Sequence, residues 1–183
     1  MSRLSKLDPE GLAPEQIAVI DAIEAGPRGR RVGLIGPYGV WVRAPKVGLP
    51  AQALGAAVRF ATELAENLKE VAICTVGAFY QARFEFAAHK NLALAAGVDN
   101  RSLECLRMGE EPDFEGDEAL VHQLTRELLK NHHISNVTYT NAAETLGETQ
   151  LIELVTIIGY YCMISHTLNA FEVPAPDGSR AFG

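Results

Sequence analysis

Apolar residues recur along most of this chain at intervals of three and four positions, which places them on one face of an α-helix. The clearest stripes are formed by Ile17, Ile20 and Ile23, and by Leu54, Ala57, Val58 and Ala61. The strict alternation of apolar and polar residues that indicates a β-strand is nearly absent. The pattern therefore predicts an all-α fold with roughly seven or eight helices and no sheet.

Capping residues and helix breakers predict where these helices begin and end. Pro14 suits the first turn of a helix, Asp99 a helix N-terminus, and Gly97 the position just after a helix. Residues 26–39 hold five glycines and two prolines and are interpreted as a flexible loop, and residues 172–183 as a tail. The predicted helices cover residues 13–25, 50–65, 68–79, 81–96, a short segment after 99, 117–130, 135–146 and 148–171.

The chain also carries a weak internal repeat. Residues 68–80 and 151–163 align at an offset of 83 positions, which pairs Glu70 with Glu153. Each segment follows a predicted helix of similar length. Two related helical halves within a single domain over residues 1–183 explain this similarity, and a chance match of two apolar helices is the alternative.

Composition and charge narrow the possible partners. With 48% hydrophobic and 21% charged residues, the chain can bury a sizeable core. Its formal charge of −7 argues against a general nucleic-acid-binding or anionic-membrane-binding protein. A small anionic substrate would need positive charge supplied locally by particular arginines.

The sequence favours a cytoplasmic protein over a secreted or membrane protein. The N-terminus lacks the apolar core of a signal peptide. Residues 151–171 form the one long apolar run, but they include Glu153, His166 and Asn169, which are costly at membrane depth, so a buried helix is expected. The cysteines are isolated, form neither a C-x-x-C nor a zinc-binding pattern, and suit burial in a reducing compartment. They are Cys74, Cys105 and Cys162.

Residues 67–95 combine an apolar, helix-periodic pattern with several ionisable side chains. Glu85 and His89 are four residues apart, so on a helix the carboxylate can contact the imidazole. Glu70 precedes His89 by nineteen residues, about 28 Å in a straight helix. If these side chains act together, the chain must break near Gly77 and fold back, or a second subunit must close the gap.

Burial would suit these residues for acid–base catalysis. An apolar environment raises a carboxyl pKa and lowers an imidazole pKa, while their mutual attraction does the opposite. This competition can hold both groups near neutrality, where proton transfer is efficient. A surface ion pair or a hydrogen-bonded core histidine is the structural alternative for Glu85 and His89, and a salt bridge to Lys69 or Arg59 is the alternative for Glu70.

Further residues are candidates for binding a substrate. Arg83 lies at the presumed break and could hold a carboxylate with two hydrogen bonds, or could pair with Glu85 or with solvent. Other polar side chains could line the same cavity or hydrogen-bond within the core: Tyr80, Tyr160, Tyr161, His166 and Asn169. The arginines of the loop are solvated or form a lid over an anionic ligand: Arg28, Arg30 and Arg31. No metal site is expected, because the remaining histidines show no ligand spacing: His122, His132 and His133.

The spacing in residues 70–89 resembles a family pattern. In the AhpD-like alkylhydroperoxidases of the carboxymuconolactone decarboxylase family, a glutamate is followed by two cysteines and a histidine at these intervals. Glu70 and His89 keep that frame, while Ala82 and Glu85 occupy the cysteine positions. The chain as a whole resembles the thiol-free branch of the family through the segments LDPEGLAPEQIAVIDAI, GPRGRRVGLIGPYGVWVRAP, ELAENLKEVAI and LIELVTIIGYYCMISHTLNAFEVP.

The resemblance implies an AhpD-like helical fold, a homo-oligomer that is a trimer or a dimer of trimers, and one of two chemistries. Thiol peroxidase activity, the peroxiredoxin function of the family, needs the two missing cysteines. Lactone decarboxylation in aromatic compound catabolism needs neither a thiol nor a cofactor. His89, Arg83 and Glu70 or Glu85 are chemically adequate for it. A non-catalytic ligand-binding protein and a structural oligomer are the other possibilities.

Overall fold

The structure is a computed structural model, and it describes residues 2–27, 34–175, 178 and 182. Over this part of the chain it is all-α, with eight α-helices and no strand, which confirms the predicted fold class. After a short 3-10 turn at Pro9–Gly11, the helices are α1 (Pro14–Glu24), α2 (Pro37–Trp41), α3 (Pro45–Phe60), α4 (Glu66–Phe79), α5 (Arg83–Ala95), α6 (Asn100–Met108), α7 (Gly116–Asn131) and α8 (Asn136–Ala170).

The bounds of two predicted segments were wrong. The helix expected at 50–65 begins at Pro45 and ends at Phe60, because Pro45 occupies the first turn and Pro50 is accommodated inside the helix. The loop expected at 26–39 ends at Gly36, since Pro37 starts α2. Residues 28–33 of that loop, with the three arginines proposed as a lid, lie outside the described residues, as does most of the tail.

Helix α4 forms the centre of the core. Its residues from Leu68 to Gly77 are all buried, and it packs against α5, α6, α7 and α8. A helix that is buried on every side needs apolar residues all round, which explains the run VAICTV between Glu70 and Gly77. The charged Glu70 within this run is therefore the exception that requires partners.

The connection between α4 and α5 turns the chain back on itself. Gln81 adopts a positive φ of 50°, and the Ala82 amide donates to the Gly77 carbonyl at 2.8 Å. A Cβ atom on Gly77 would lie 3.4 Å from the Phe86 backbone nitrogen, so a glycine at this position lets the two helices approach closely. Glu70 lies seven residues before Gly77 and His89 seven after Ala82, so the turn places both at the same level.

Helix α8 consists of two helical segments that meet at Gly147, where φ is 76° and ψ is 169°. By length and composition it could cross a membrane, although half of its most apolar window is buried inside the protein. It packs against α4 and α7, as expected for a buried helix. The sequence prediction of two helices separated near residue 147 agrees with this geometry.

The two glutamates paired by the internal repeat differ in their contacts. The Glu153 carboxylate accepts hydrogen bonds from the backbone amides of Glu63 and Leu64, at 2.9 Å and 3.1 Å, in the segment between α3 and α4. Glu70 instead contacts side chains of α3 and α5. Glu153 therefore fastens α8 to the α3–α4 connection.

We expect Glu153→Ala to destabilise the protein by about 2 kcal/mol, because it removes a charged acceptor from two backbone donors. Urea denaturation monitored by circular dichroism would measure the change. Glu144→Ala is the matched control, since Glu144 lies exposed on the same helix. Equal stability of the two variants would contradict the anchoring role of Glu153.

Candidate active site

Glu70, Glu85 and His89 meet in the interior, at relative exposures of 0%, 3% and 8%. His89 Nδ1 donates a hydrogen bond to Glu70 Oε2 at 2.7 Å. His89 Nε2 lies 2.9 Å from Glu85 Oε1, the ion pair expected one helical turn apart on α5. The gap between Glu70 and His89 is closed within one chain by the α4–α5 turn, without a second subunit.

Arg59, near the end of α3, completes this cluster. Its Nη2 lies 2.8 Å from Glu70 Oε1, an ion pair that is not aligned as a hydrogen bond. Its Nη1 pairs with Glu66, which also contacts Lys69 Nζ at 3.1 Å. The Glu70 carboxylate is thus held between a guanidinium on one side and an imidazole on the other, which fixes the ring of His89.

This environment keeps His89 protonated at neutral pH. Burial favours the neutral imidazole, but the charge of Glu85, the hydrogen bonds to both carboxylates and the charge of Glu70 outweigh it and raise the pKa of His89 to about 9. The imidazolium therefore presents an N–H group to each carboxylate. Such a group can donate a proton or stabilise a developing negative charge.

A cavity of about 270 Å³ opens onto Glu85 and His89. Apart from these two and Arg59, its walls are apolar or aromatic: Ile35, Pro37, Tyr38, Phe60, Phe84, Ala88, Leu92, Tyr160, Tyr161 and Ile164. The Tyr161 ring meets the His89 ring edge to face, with centroids 5.0 Å apart. Glu70 does not line the cavity, so it can act on a ligand only through His89.

Of the residues predicted to bind a substrate, the structure brings Tyr160 and Tyr161 to this cavity. Tyr80, His166 and Asn169 meet one another at the end of α4: the Tyr80 and His166 rings lie 4.5 Å apart, and the Asn169 amide donates to the Tyr80 carbonyl at 2.7 Å. That carbonyl lies at the C-terminus of α4, where helix carbonyls lack helical partners. These three residues thus hold α8 against the connection between α4 and α5 and do not line the cavity.

The cation at the cavity is Arg59, whereas sequence reasoning assigned that role to Arg83. Arg83 is exposed at the first position of α5 and does not line the cavity. Arg59 was noted in the sequence only as a possible salt-bridge partner of Glu70. Its proximity depends on how α3 packs, and a single arginine in the segment AAVRF gives no periodic signal that would predict this.

A second buried histidine, His122 on α7, has the opposite charge state. Thr75 donates its hydroxyl proton to the Val71 carbonyl at 2.7 Å, so it accepts from His122 Nδ1 at 2.9 Å. Burial, together with the charge of Arg126, lowers the pKa of His122 to about 4. His122 is therefore neutral at physiological pH and separate from the Glu70–His89–Glu85 cluster.

The cysteines lie apart from one another. Cys74 is fully buried on α4, and burial raises the pKa of its thiol well above the usual range. Burial also raises the pKa of the Cys162 thiol, and Cys105 is partly buried on α6. In the described ranges, no group of three or more histidine, cysteine, aspartate or glutamate side chains is arranged to hold a metal ion.

No protein-family model and no curated protein matches this chain. The carboxymuconolactone decarboxylase assignment therefore stays a prediction that rests on the spacing from Glu70 to His89 and on the segments that resemble the thiol-free branch of the family.

The charge of His89 predicts a loss of stability in alkaline solution. A histidine in the unfolded chain has a pKa of about 6.5, and His89 in the folded protein has one of about 9. Because the folded value is higher, its stabilisation is fully present below about pH 6.5 and is lost as the pH rises through about 9. Thermal unfolding across this range should show a falling Tm. His89→Gln should remove most of that fall, and an unchanged slope in the variant would contradict the assignment.

Proposed function

We propose that this chain is a cofactor-independent lyase of the decarboxylase type, which acts on an anionic carbon acid by acid–base chemistry of His89 and Glu85. The observation that supports the proposal is the buried imidazolium between two carboxylates, of which one, Glu85, lines an apolar cavity together with the ring. Buried charged groups beside a cavity are more typical of functional sites than of a structural core.

Decarboxylation places clear demands on such a site. The bond between the carboxylate and its neighbouring carbon breaks, its electron pair moves onto an adjacent carbonyl to form an enolate, and carbon dioxide leaves. The enolate is stabilised by the positive charge of the His89 ring, whose two N–H groups remain bound to Glu70 and Glu85. A proton then passes from His89 through Glu85 to the carbon, and His89 regains its proton from water.

Glu70 and Arg59 are positioning residues in this scheme. Glu70 holds the ring orientation and keeps the imidazole protonated, while Arg59 holds Glu70. The apolar walls exclude water, which strengthens the electrostatic stabilisation of the enolate. Carboxymuconolactone decarboxylation is one reaction of this class, and it is the one that the family resemblance suggests.

Thiol peroxidase activity is the less favoured alternative. Such an enzyme needs a partly exposed thiolate with a second thiol or a reductant in reach. Cys74 on α4 does not meet this requirement, because it is fully buried and burial keeps its thiol protonated. A ligand-binding protein without catalysis would use the same cavity, and it is distinguished from the lyase by the activity test below.

Turnover should depend on His89 far more than on Glu153. A screen for carbon dioxide release from unsaturated lactones and β-keto acids would first identify a substrate. His89→Gln should then lower kcat by roughly 10²–10⁴-fold, because it removes the proton donor. Glu153→Gln is the control and should retain near wild-type turnover, since Glu153 accepts from backbone amides between α3 and α4 and does not line the His89 cavity.

In the same assay, Glu70→Gln tests whether Glu70 controls the charge of His89 or only fills space in the core. Loss of this carboxylate lowers the pKa of His89, so the alkaline limb of the pH–rate profile should move to lower pH. Release of no carbon dioxide from any compound of the screen, or full turnover in folded His89→Gln, would contradict the lyase.

We also propose that the protein is a cytoplasmic homo-oligomer. Ile152, Val155 and Met163 are exposed along one side of α8, at 60%, 40% and 37%. Apolar side chains in such a row favour contact with another protein surface, and a second copy of the chain would cover them.

Light scattering at micromolar concentration should therefore report a dimer or a larger assembly. Ile152→Glu should weaken this association, because it places a charge in the apolar row. Val137→Glu is the matched control, since Val137 is equally apolar and exposed but lies before the break at Gly147. A monomeric wild-type protein would contradict the proposal.

A further inference from the structure

A second cavity, of about 920 Å³, adjoins the cavity at His89, and Ile35 and Phe84 line both. We refer to it as the Arg43 cavity. Its walls come from the N-terminal segment, from residues 34–43 and from residues 173–175, and most of the side chains are apolar. The two cavities are therefore neighbours across a boundary formed by Ile35 and Phe84.

Gly36 allows the Phe84 ring to lie at this boundary. A Cβ atom on Gly36 would come within 2.5 Å of the ring, and Gly36 adopts a φ of 60° that favours glycine. Phe84 directly precedes Glu85 on α5. The ring at the boundary is thus one residue away from the carboxylate that lines the His89 cavity.

The Arg43 cavity differs from the His89 cavity in charge. Its charged lining residues are Lys6 and Arg43, and no acidic residue of the described ranges lines it. The Nη2 atom of Arg43 donates to the Ser5 carbonyl at 2.5 Å. Its Nε atom is buried and makes no hydrogen bond to any described residue. This atom is closed to the cavity, so a bound carboxylate would pair with the part of the Arg43 guanidinium that lines the cavity and with Lys6.

The His89 cavity offers no comparable partner for a carboxylate that remains on the substrate. Arg59 already pairs with Glu66 and Glu70. Arg83 is exposed and lines neither cavity. A compact substrate with two carboxylates, such as carboxymuconolactone, would leave one of them beside apolar walls or beside Glu85, which is unfavourable.

We propose that the substrate is an elongated amphipathic acid that occupies both cavities, with its reacting carbon at His89 and its retained carboxylate against Arg43. This inference rests on the proposed lyase function and specifies the class of substrate. The apolar body of the molecule passes Ile35 and Phe84, and Lys6 adds positive charge near the bound carboxylate. The reaction at His89 is unchanged, because the carboxylate at Arg43 takes no part in bond breaking.

Decanoate and decan-1-ol are suitable probes, because they share an apolar chain and differ in the carboxylate. Binding is measured by calorimetry and by the fluorescence of Trp41, the single tryptophan, whose ring contacts Tyr160 at the His89 cavity. Decanoate should bind at least about tenfold more tightly than the alcohol, as expected for a charge-assisted hydrogen bond. Failure of decanoate to bind, or equal affinity for both probes, would overturn the inference.

Variants of Arg43 test which residue provides this preference. Arg43→Met should abolish the preference for decanoate, and Arg43→Lys should keep most of it. Arg101→Met is the matched control for loss of one positive charge, since Arg101 is exposed on α6, and it should bind as the wild-type protein does. An Arg43→Met protein that retains the preference would overturn the inference.

A labelling experiment on the wild-type protein covers the case in which Arg43→Met fails to fold. A decanoate analogue with a photoreactive diazirine next to the carboxylate should label peptides 2–9, 34–43 or 173–175. Labelling confined to α5 and α8 would place the carboxylate at the wrong end and overturn the inference. The two proposals can be tested independently. Carboxylate binding at Arg43 without carbon dioxide release would contradict only the lyase. Turnover that does not depend on Arg43 would contradict only the substrate class.

Discussion

The hydrogen-bonded ion pair between Glu70 and His89 is the interaction on which the rest of the site depends. Both side chains are buried, and burial of charge is costly unless each charge is paired. Arg59 and Glu85 supply the remaining partners, so the cluster joins α3, α4 and α5 at one point. Removal of one member would leave an uncompensated charge in the core, so the packing of these three helices depends on the whole cluster. The two carboxylates also keep His89 protonated.

The two buried histidines show how surroundings decide charge. His89 faces two carboxylates and is held as an imidazolium, while His122 donates to a threonine hydroxyl, lies near Arg126 and is held neutral. Both are largely inaccessible to water, so burial alone does not distinguish them. The distinction matters for function, because the protonated ring alone can donate a proton to an enolate at neutral pH.

The walls of the cavities restrict the chemistry that this charged cluster can perform. The apolar and aromatic lining at His89 favours a substrate with an apolar body, and the overall negative charge of the chain makes local arginines decisive for an anion. Arg59 is committed to glutamates, whereas Arg43 retains an unsatisfied donor. The proposed catalysis and the proposed substrate binding thus use different positive charges on either side of Phe84.

The sequence by itself determined the all-α class, most helix boundaries, and the pairing of Glu85 with His89, because helical periodicity and capping are local properties. It also indicated that the chain must turn near Gly77 if Glu70 is to join them. Tertiary structure alone decided that Arg59 rather than Arg83 contacts the cluster, since that depends on how α3 packs beside α4. It likewise placed His166 and Asn169 at the α4–α5 connection and not at the cavity. These residues lie about two turns along α8 from Tyr160, so their side chains meet different neighbours.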